Sequence, residues 1–305
     1  MFNEANQDPQ EDSEIPYRRI LQRRIRSFTS TIRRAPIIPL VIITILLVAA
    51  LFGPIFAPYS PTKVSPKDSL KPPFWNSGGN FAHPFGTDRM GRDIFSRILY
   101  GARLSLGISL AVIAMGGVAG TILGLVSGYL GGRTDAVIQR GVEAVLSIPL
   151  ILIALIIVYT LGPSITMVMF ILAPFLAARF ARMVRGDTLK VKEEQFILLA
   201  RAVGASSTRI MWKHILPNVF NTIIVVATLE VGHLILVESS LSFLGVGVPP
   251  PHPAWGAMVA SGRDQIMSAY WLSLIPGLVI LATVLSLNLF GDWLRDTLDP
   301  RQRVL

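Results

Sequence analysis

The sequence predicts an all-α integral membrane protein with six transmembrane helices. Of its 305 residues, 51% are hydrophobic and 15% are charged, whereas soluble proteins carry about 25% charged residues. Long uncharged stretches recur along the chain, and each is sufficient to cross about 30 Å of hydrocarbon. The chain contains no cysteine, which excludes disulfides and thiolate metal sites.

The first 35 residues are predicted to be a cytoplasmic segment with two parts. Residues 1–16 carry five acidic residues and no basic one, which is typical of a disordered acidic tail. Residues 17–34 place apolar side chains at helical spacing among arginines, a pattern that predicts a basic amphipathic helix in the membrane interface. The alternative is a solvated basic tail that only fixes orientation.

Residues 36–100 are predicted to hold the first transmembrane helix and a long extracytoplasmic loop. The helix occupies residues 37–57, which are uncharged, and the loop that follows is rich in proline and glycine. Within the loop, His83, Asp88 and Asp93 match no metal-ligand spacing. We therefore expect a polar, turn-rich loop without a metal site.

Residues 101–291 are predicted to hold the other five transmembrane helices. The second span, residues 104–131, repeats glycine every four residues, at Gly116, Gly120, Gly124 and Gly128. A stripe of small residues predicts close packing against another helix. The sequence leaves open whether that helix belongs to this chain or to a partner.

The remaining boundaries follow from charge and from turn residues. Residues 132–143 are predicted to be a short polar connection, and residues 144–178 to be two spans joined by a tight turn at Gly162-Pro163-Ser164. Arg179 begins a run of arginines whose long side chains are expected to reach the membrane interface. The fifth and sixth spans are expected at residues 220–244 and 271–290, and a cytoplasmic tail at residues 292–305.

The basic residues predict the orientation of the chain. With six spans, one side of the membrane receives 20 of the 28 lysines and arginines. The positive-inside rule places that side, with both termini and residues 193–217, in the cytoplasm. The formal net charge of +9 therefore reflects topology, and we expect no nucleic-acid partner.

Residues 193–217 form an unusual polar and basic segment between two apolar spans. A first helical run carries small residues at Ala200, Ala202 and Gly204, and a second run, Ser206 to His214, leads to a proline at position 217. An order of helix, glycine turn, helix and proline indicates a docking surface rather than a simple connection.

Three titratable residues, Glu230, His233 and Glu238, lie within the fifth span. A charged residue at the centre of a span costs roughly 2.5–3.5 kcal/mol on insertion scales, so this helix is expected to face protein or water. Pore lining, a buried structural hydrogen bond and a proton relay all remain open. A relay would make the chain a proton-coupled secondary transporter, a class that normally shows internal repeats, and no clear repeat occurs here.

Enzymatic alternatives find little support in the sequence. The chain has no phosphate-binding G-x-x-x-x-G-K-[ST] motif. It also lacks an H-E-x-x-H motif or a credible nucleophile–base pair for an intramembrane enzyme. We expect no catalytic residue, and no cofactor or metal bound by this chain.

Four stretches carry a resemblance to a known family. LLARAVGASSTRIMWKHILPN, from Leu198 to Asn218, resembles the EAA loop of bacterial ABC-importer permeases. The stretches from His83 to Leu106, from Ser242 to Met258 and from Asn288 to Pro300 resemble the C-type permease of the dipeptide/oligopeptide/nickel family. The resemblance extends over nearly the whole chain from about residue 36.

The resemblance implies a type I ABC importer permease in the bacterial inner membrane, working by alternating access. Its expected partners are a second homologous permease, two cytoplasmic ATPases that bind ATP and magnesium, a solute-binding protein and lipid. The expected substrate is a di- or oligopeptide, with nickel or oligosaccharides as alternatives.

The resemblance also implies that residues 193–217 form two short coupling helices seated on an ATPase. Leu198 stands where the family carries a glutamate, so we expect contact there to depend on shape rather than on a salt bridge. The expected coupling residues are Ala200, Arg201, Ala202, Gly204, Ala205, Ile215, Leu216 and Pro217.

Overall fold

Helices make up most of the computed structural model, which describes residues 36–298. In chain order the helices of four residues or more are α1 Ile37–Phe56, α2 Ile94–Leu130, α3 Gly132–Ser147, α4 Leu150–Leu161, α5 Ile165–Lys192, α6 Gln195–Ala202, α7 Ser207–Phe243, α8 Trp255–Gly262 and α9 Trp271–Leu298. Helix α2 and helix α7 each contain one π turn, at Ile113–Gly117 and Met211–Ile215 respectively.

Five of these helices, α1, α2, α5, α7 and α9, are long and apolar enough to cross a membrane. Helices α3 and α4 pass the same test only as a pair, bent by 78° at the break between them. Counting that pair as one broken span gives six crossings. The helix predicted at residues 17–34, the acidic tail before it and residues 299–305 lie outside the described residues.

The broken third span corrects one sequence-based prediction. Residues 132–143, predicted to be a connection, are helical and belong to α3. The polar side of α3 is anchored by Asp135, whose two oxygens accept hydrogen bonds from Arg185 Nε and Nη2 on α5, each at 2.6 Å. Helix α3 ends at Ser147 because Ile148 precedes a proline and adopts an extended conformation.

The glycine stripe of α2 packs against α5 of the same chain. A Cβ atom built on Gly116 or Gly124 would lie 2.6 Å or 2.7 Å from a backbone carbonyl oxygen of α5. A Cβ atom on Gly120 would overlap the carbonyl oxygen of Ala177. The glycines face small residues of α5 that also recur every four positions, at Ala173, Ala177 and Ala181. The two backbones therefore approach one another directly, as in small-xxx-small packing.

The loop between α1 and α2 is held by polar groups that the sequence could not assign. Asp93 caps the N-terminus of α2 by accepting a hydrogen bond from the backbone N–H of Ser96 at 2.7 Å. The second oxygen of Asp93 lies 3.0 Å from Nδ1 of His83, and both side chains are buried. Asp88 accepts from Arg92 Nε at 2.6 Å. His83, Asp88 and Asp93 thus hold the segment that leads into α2.

Replacing Gly120 tests the seam between α2 and α5. Gly120→Ala should destabilise the protein by about 1–3 kcal/mol, because overpacking of a tight interface costs that much and the added Cβ meets backbone rather than a movable side chain. Thermal denaturation of the purified protein in detergent measures the effect as a lower Tm.

Gly107→Ala is the matched control, since it lies in the same helix and a Cβ there would meet nothing within 4 Å. Alanine is the better helix former, so this variant should keep or raise the Tm. Equal Tm values for the two variants would show that the seam is not tightly packed.

Candidate coupling surface and membrane polar cleft

Residues 193–217 fold as α6, a tight turn and the first residues of α7. Gly204 has φ +80°, a conformation that L-residues adopt only at a cost. The backbone N–H of Ala205 donates to the carbonyl of Ala200 at 3.0 Å, and that of Gly204 donates to Arg201 at 2.9 Å. This pair of hydrogen bonds is a Schellman motif, in which glycine occupies the left-handed position after the helix.

The turn leads directly into the next helix. The Ser206 hydroxyl accepts a hydrogen bond from the backbone N–H of Arg209 and so caps α7. The second coupling helix expected from the resemblance is therefore not separate, because it continues into the fifth span. Pro217 does not interrupt α7, since it follows directly on the π turn, where the regular ladder of hydrogen bonds is already broken.

Several of the expected coupling residues face this chain rather than solvent. Ile215 is fully buried in a cluster with Ile197, Ile210 and residues of α2 and α5. Three further members of the expected set pack against the same cluster: Ala200, Ala205 and Leu216. The guanidinium of Arg201 lies 5.2 Å from the ring centroid of Tyr129 on α2, a cation–π contact. These residues hold the loop on the membrane helices.

One exposed part of the loop is apolar. Leu198, Leu199, Ala202 and Val203 lie on one exposed side of α6 and the turn after it, and Trp212 of α7 is exposed as well. We call these five residues the coupling face. Leu199 is 66% exposed and Val203 83% exposed. Exposed apolar side chains that share one side of a helix are typical of interaction surfaces.

Sequence reasoning missed most of this face. It singled out Ala200, Ala202 and Gly204 for their small size, although only Ala202 belongs to the coupling face. The signal was available in the spacing, because positions 198, 199, 202 and 203 share one side of a helix. Leu198, noted as the substitute for a glutamate, is one of the exposed apolar residues.

A second candidate site lies within the membrane-spanning helices. Arg179 of α5 and Glu230 of α7 form a two-point ion pair, with Nη2–Oε1 at 3.0 Å and Nη1–Oε2 at 3.2 Å. At 1.5 Å per residue, each lies about 20 Å from the end of its helix that is farther from α6. Arg179 was expected to reach the membrane interface, and in the structure its guanidinium pairs with Glu230 of the neighbouring helix.

The ion pair lines a cleft of about 400 Å³ between α5, α7 and α9. His233 and Asn288 add two further polar side chains, both exposed. The apolar lining comes from Val226, Leu229, Leu236 and Val284. Charged and polar groups at this depth almost always face protein or a water-filled cavity rather than lipid. The cleft therefore opens toward water or toward another protein.

Glu238 does not belong to the cleft. Its side chain is 1% exposed, and Oε1 accepts a hydrogen bond from Ser242 Oγ at 2.6 Å. Ser242 Oγ also accepts from the backbone N–H of Val248 at 3.0 Å, so the pair organises the end of α7 and the loop after it. Of the three titratable residues singled out in the fifth span, the structure thus brings Glu230 and His233 together and assigns Glu238 a structural hydrogen bond.

The conformation of Gly204 makes a specific prediction. Gly204→Val should distort the turn, because a β-branched residue is strained at positive φ. The activity expected from the resemblance, ATP-driven uptake, should then fall at least tenfold. Gly204→Asn is the matched control, since asparagine tolerates this conformation, and it should keep most of the activity. No atom would crowd a Cβ at this position, so equal loss in both variants would contradict the conformational explanation.

The chain matches two known protein-family models. Residues 120–304 match the family model described as binding-protein-dependent transport system inner membrane component. Residues 33–73 match the model described as N-terminal TM domain of oligopeptide transport permease C. The first match includes α5, α6, α7 and α9, which carry the coupling face and the cleft.

Individual relatives cover nearly the entire chain. The dipeptide transport system permease protein DppC of Alkalihalophilus pseudofirmus is 39% identical over 99% of this chain and 97% of its own length. The di/tripeptide transport system permease protein DppC of Pseudomonas aeruginosa is 36% identical over 98% of each chain. The glutathione transport system permease protein GsiD of Escherichia coli is 41% identical over 85% of this chain and 84% of its own length. The chain belongs to the family of binding-protein-dependent transport system inner membrane components.

Proposed function

We propose that this chain is the permease subunit of an ATP-driven importer for di- and oligopeptides in the bacterial inner membrane. The observation that carries the proposal is the continuity of α7. This helix bears Trp212 of the coupling face at one end and Glu230 of the cleft farther along. The two residues are about 27 Å apart along the helix axis at 1.5 Å per residue.

The proposed partners follow from what this chain exposes. The coupling face is suited to an apolar groove on a cytoplasmic ATPase, and Arg209 and Lys213, both exposed, can pair with acidic groups of that partner. The ATPases would bind ATP and magnesium, and this chain would bind neither. A second permease would cover the open side of the cleft, and an extracytoplasmic binding protein would deliver the substrate.

The proposed mechanism is alternating access. When ATP binding brings the two ATPases together, the coupling face moves with them. Helix α6 is fixed on α7 by the buried cluster around Ile197 and Ile215, so the movement reaches α7 as a rigid element. A two-state equilibrium between inward-open and outward-open forms is thereby biased by a partner that binds the two forms unequally.

Peptides are the proposed substrates because relatives similar over most of the chain are named for peptide transport. Two are named for dipeptides or di/tripeptides and one for glutathione. With this topology, both termini of the chain would lie in the cytoplasm, together with the coupling face.

Removing the ATPases tests the proposed energy source. Vesicles that contain the complete complex should accumulate a labelled dipeptide only with ATP and with the binding protein. Vesicles with both permeases but without ATPases should show none of this uptake. Uptake that persists without the ATPases, and that follows an imposed proton gradient, would refute the proposal and favour a secondary transporter.

The coupling face makes a second prediction. Val203→Asp should weaken binding of the ATPase by at least tenfold, because burying a valine side chain is worth about 1.5–3 kcal/mol and each 1.4 kcal/mol is tenfold in affinity. Titration of the purified ATPase onto the permease pair in lipid nanodiscs measures the Kd. Val203→Ile is the matched control and should bind normally. Unchanged affinity in Val203→Asp would remove the coupling face from the interface.

A further inference from the structure

We propose that the membrane cleft is a binding site for the carboxylate of a zwitterionic peptide, with Arg179 as the group that binds it. The inference rests on the proposed transport of peptides. It adds which residues hold the substrate and by which kind of interaction. The residues that carry it are Arg179, Glu230, His233 and Asn288, which line one cleft.

The ion pair is asymmetric in its exposure. The Arg179 side chain is 45% exposed, whereas that of Glu230 is 7% exposed. Glu230 thus lies behind the guanidinium and leaves the guanidinium as the charged group that the cleft presents. A ligand in the cleft meets a hydrogen-bond donor with positive charge before it meets a carboxylate.

Arg179 retains donors for a ligand. A guanidinium has five N–H groups. Glu230 accepts a hydrogen bond from Nη1 at 3.2 Å and lies 3.0 Å from Nη2 in the ion pair. Among the residues that the structure describes, no other acceptor engages Arg179. The remaining N–H groups suit a carboxylate, since arginine–carboxylate hydrogen bonds are charge-assisted and frequently bidentate.

Glu230 has two roles in this arrangement. It neutralises the charge of Arg179, because an isolated charge within the hydrocarbon region is costly. It also fixes the plane of the guanidinium through the two-point contact. Because the pair is neutral as a whole, the site favours a ligand that is itself neutral overall, and a zwitterionic peptide meets that condition.

The rest of the cleft suits a peptide with variable side chains. Asn288 offers both a donor and an acceptor, as does a neutral imidazole at His233, which suits a peptide backbone or ammonium group. The apolar lining comes from Val226, Leu229, Leu236 and Val284. These side chains form no hydrogen bonds, so they do not restrict the orientation of the ligand's side chains. A volume of about 400 Å³ falls within the roughly 300–1,000 Å³ of small-molecule sites.

The direct test compares a free carboxylate with a blocked one. The probes are alanyl-phenylalanine and its C-terminal amide, and the protein is the complete transporter in nanodiscs without its binding protein, so that only the membrane site is sampled. Equilibrium binding should favour the free dipeptide about tenfold or more, as expected for a charge-assisted hydrogen bond. Arg179→Gln/Glu230→Gln, which leaves no buried charge unpaired, should bind both probes equally.

Two further variants separate recognition from assembly. Arg179→Lys keeps the charge but not the planar fork, so it should keep part of the preference for the free carboxylate. Asn288→Leu leaves the ion pair intact and should weaken binding of both probes by a similar factor while preserving the preference. A preference that survives in Arg179→Gln/Glu230→Gln, or that is absent from the wild type, would overturn the inference.

Loss of the complex in both Arg179→Gln/Glu230→Gln and Asn288→Leu would also overturn it, because the cleft would then be an interface between the two permeases. The proposed function is tested separately. That test measures ATP-driven uptake of the free dipeptide into vesicles that contain the wild-type transporter and its binding protein. Wild-type uptake with no carboxylate preference at the cleft would leave the function standing and remove only this site.

Discussion

Close packing between α2 and α5 is the contact on which the other functional features depend. Glycines of α2 and alanines of α5 bring the two backbones together. That seam positions Tyr129, whose ring Arg201 contacts. It also positions Leu125 and Val184, against which residues 193–217 pack. It also fixes α5, which presents Arg185 to α3 and Arg179 to α7. One interface of small residues therefore fixes the relative positions of residues 193–217, the broken span and the membrane ion pair.

This arrangement explains how a chain without a nucleotide-binding motif can take part in ATP-driven transport. In the proposed function, a partner that moves the coupling face also moves α7, because the buried part of residues 193–217 packs on the membrane helices. The polar cleft lies on that same helix, where its charged groups need protein, water or substrate around them. In the proposed function, coupling and substrate passage use two parts of one helix, α7.

Much of the fold could be predicted from the sequence, because apolar length and charge placement are strong signals in membrane proteins. The six crossings, the close-packed glycine stripe and residues 193–217 as a distinct segment were all visible. The helical state of residues 132–143 was not, since their polar face is satisfied by Arg185, fifty residues away in the chain.

The candidate sites were only partly predictable for the same reason. The sequence singled out Glu230, but its partner Arg179 lay in a run of arginines that suggested an interfacial position. Gly204 was recognised by its place in the loop, whereas its left-handed conformation and the inward direction of Ala200 and Ala205 depend on tertiary packing. The spacing of positions 198, 199, 202 and 203 put them on one side of α6, and the burial of Ile197 showed that this side is the exposed one.

In the proposed mechanism, movement at the coupling face changes access to the cleft. Because the chain contains no cysteine, Leu236→Cys introduces a single thiol into the cleft lining. Its rate of modification by a water-soluble thiol reagent should change several-fold between the nucleotide-free and the ATP-trapped complex, and Val203→Asp should abolish that change. An equal rate in both states of an otherwise intact, transport-active complex would contradict the account.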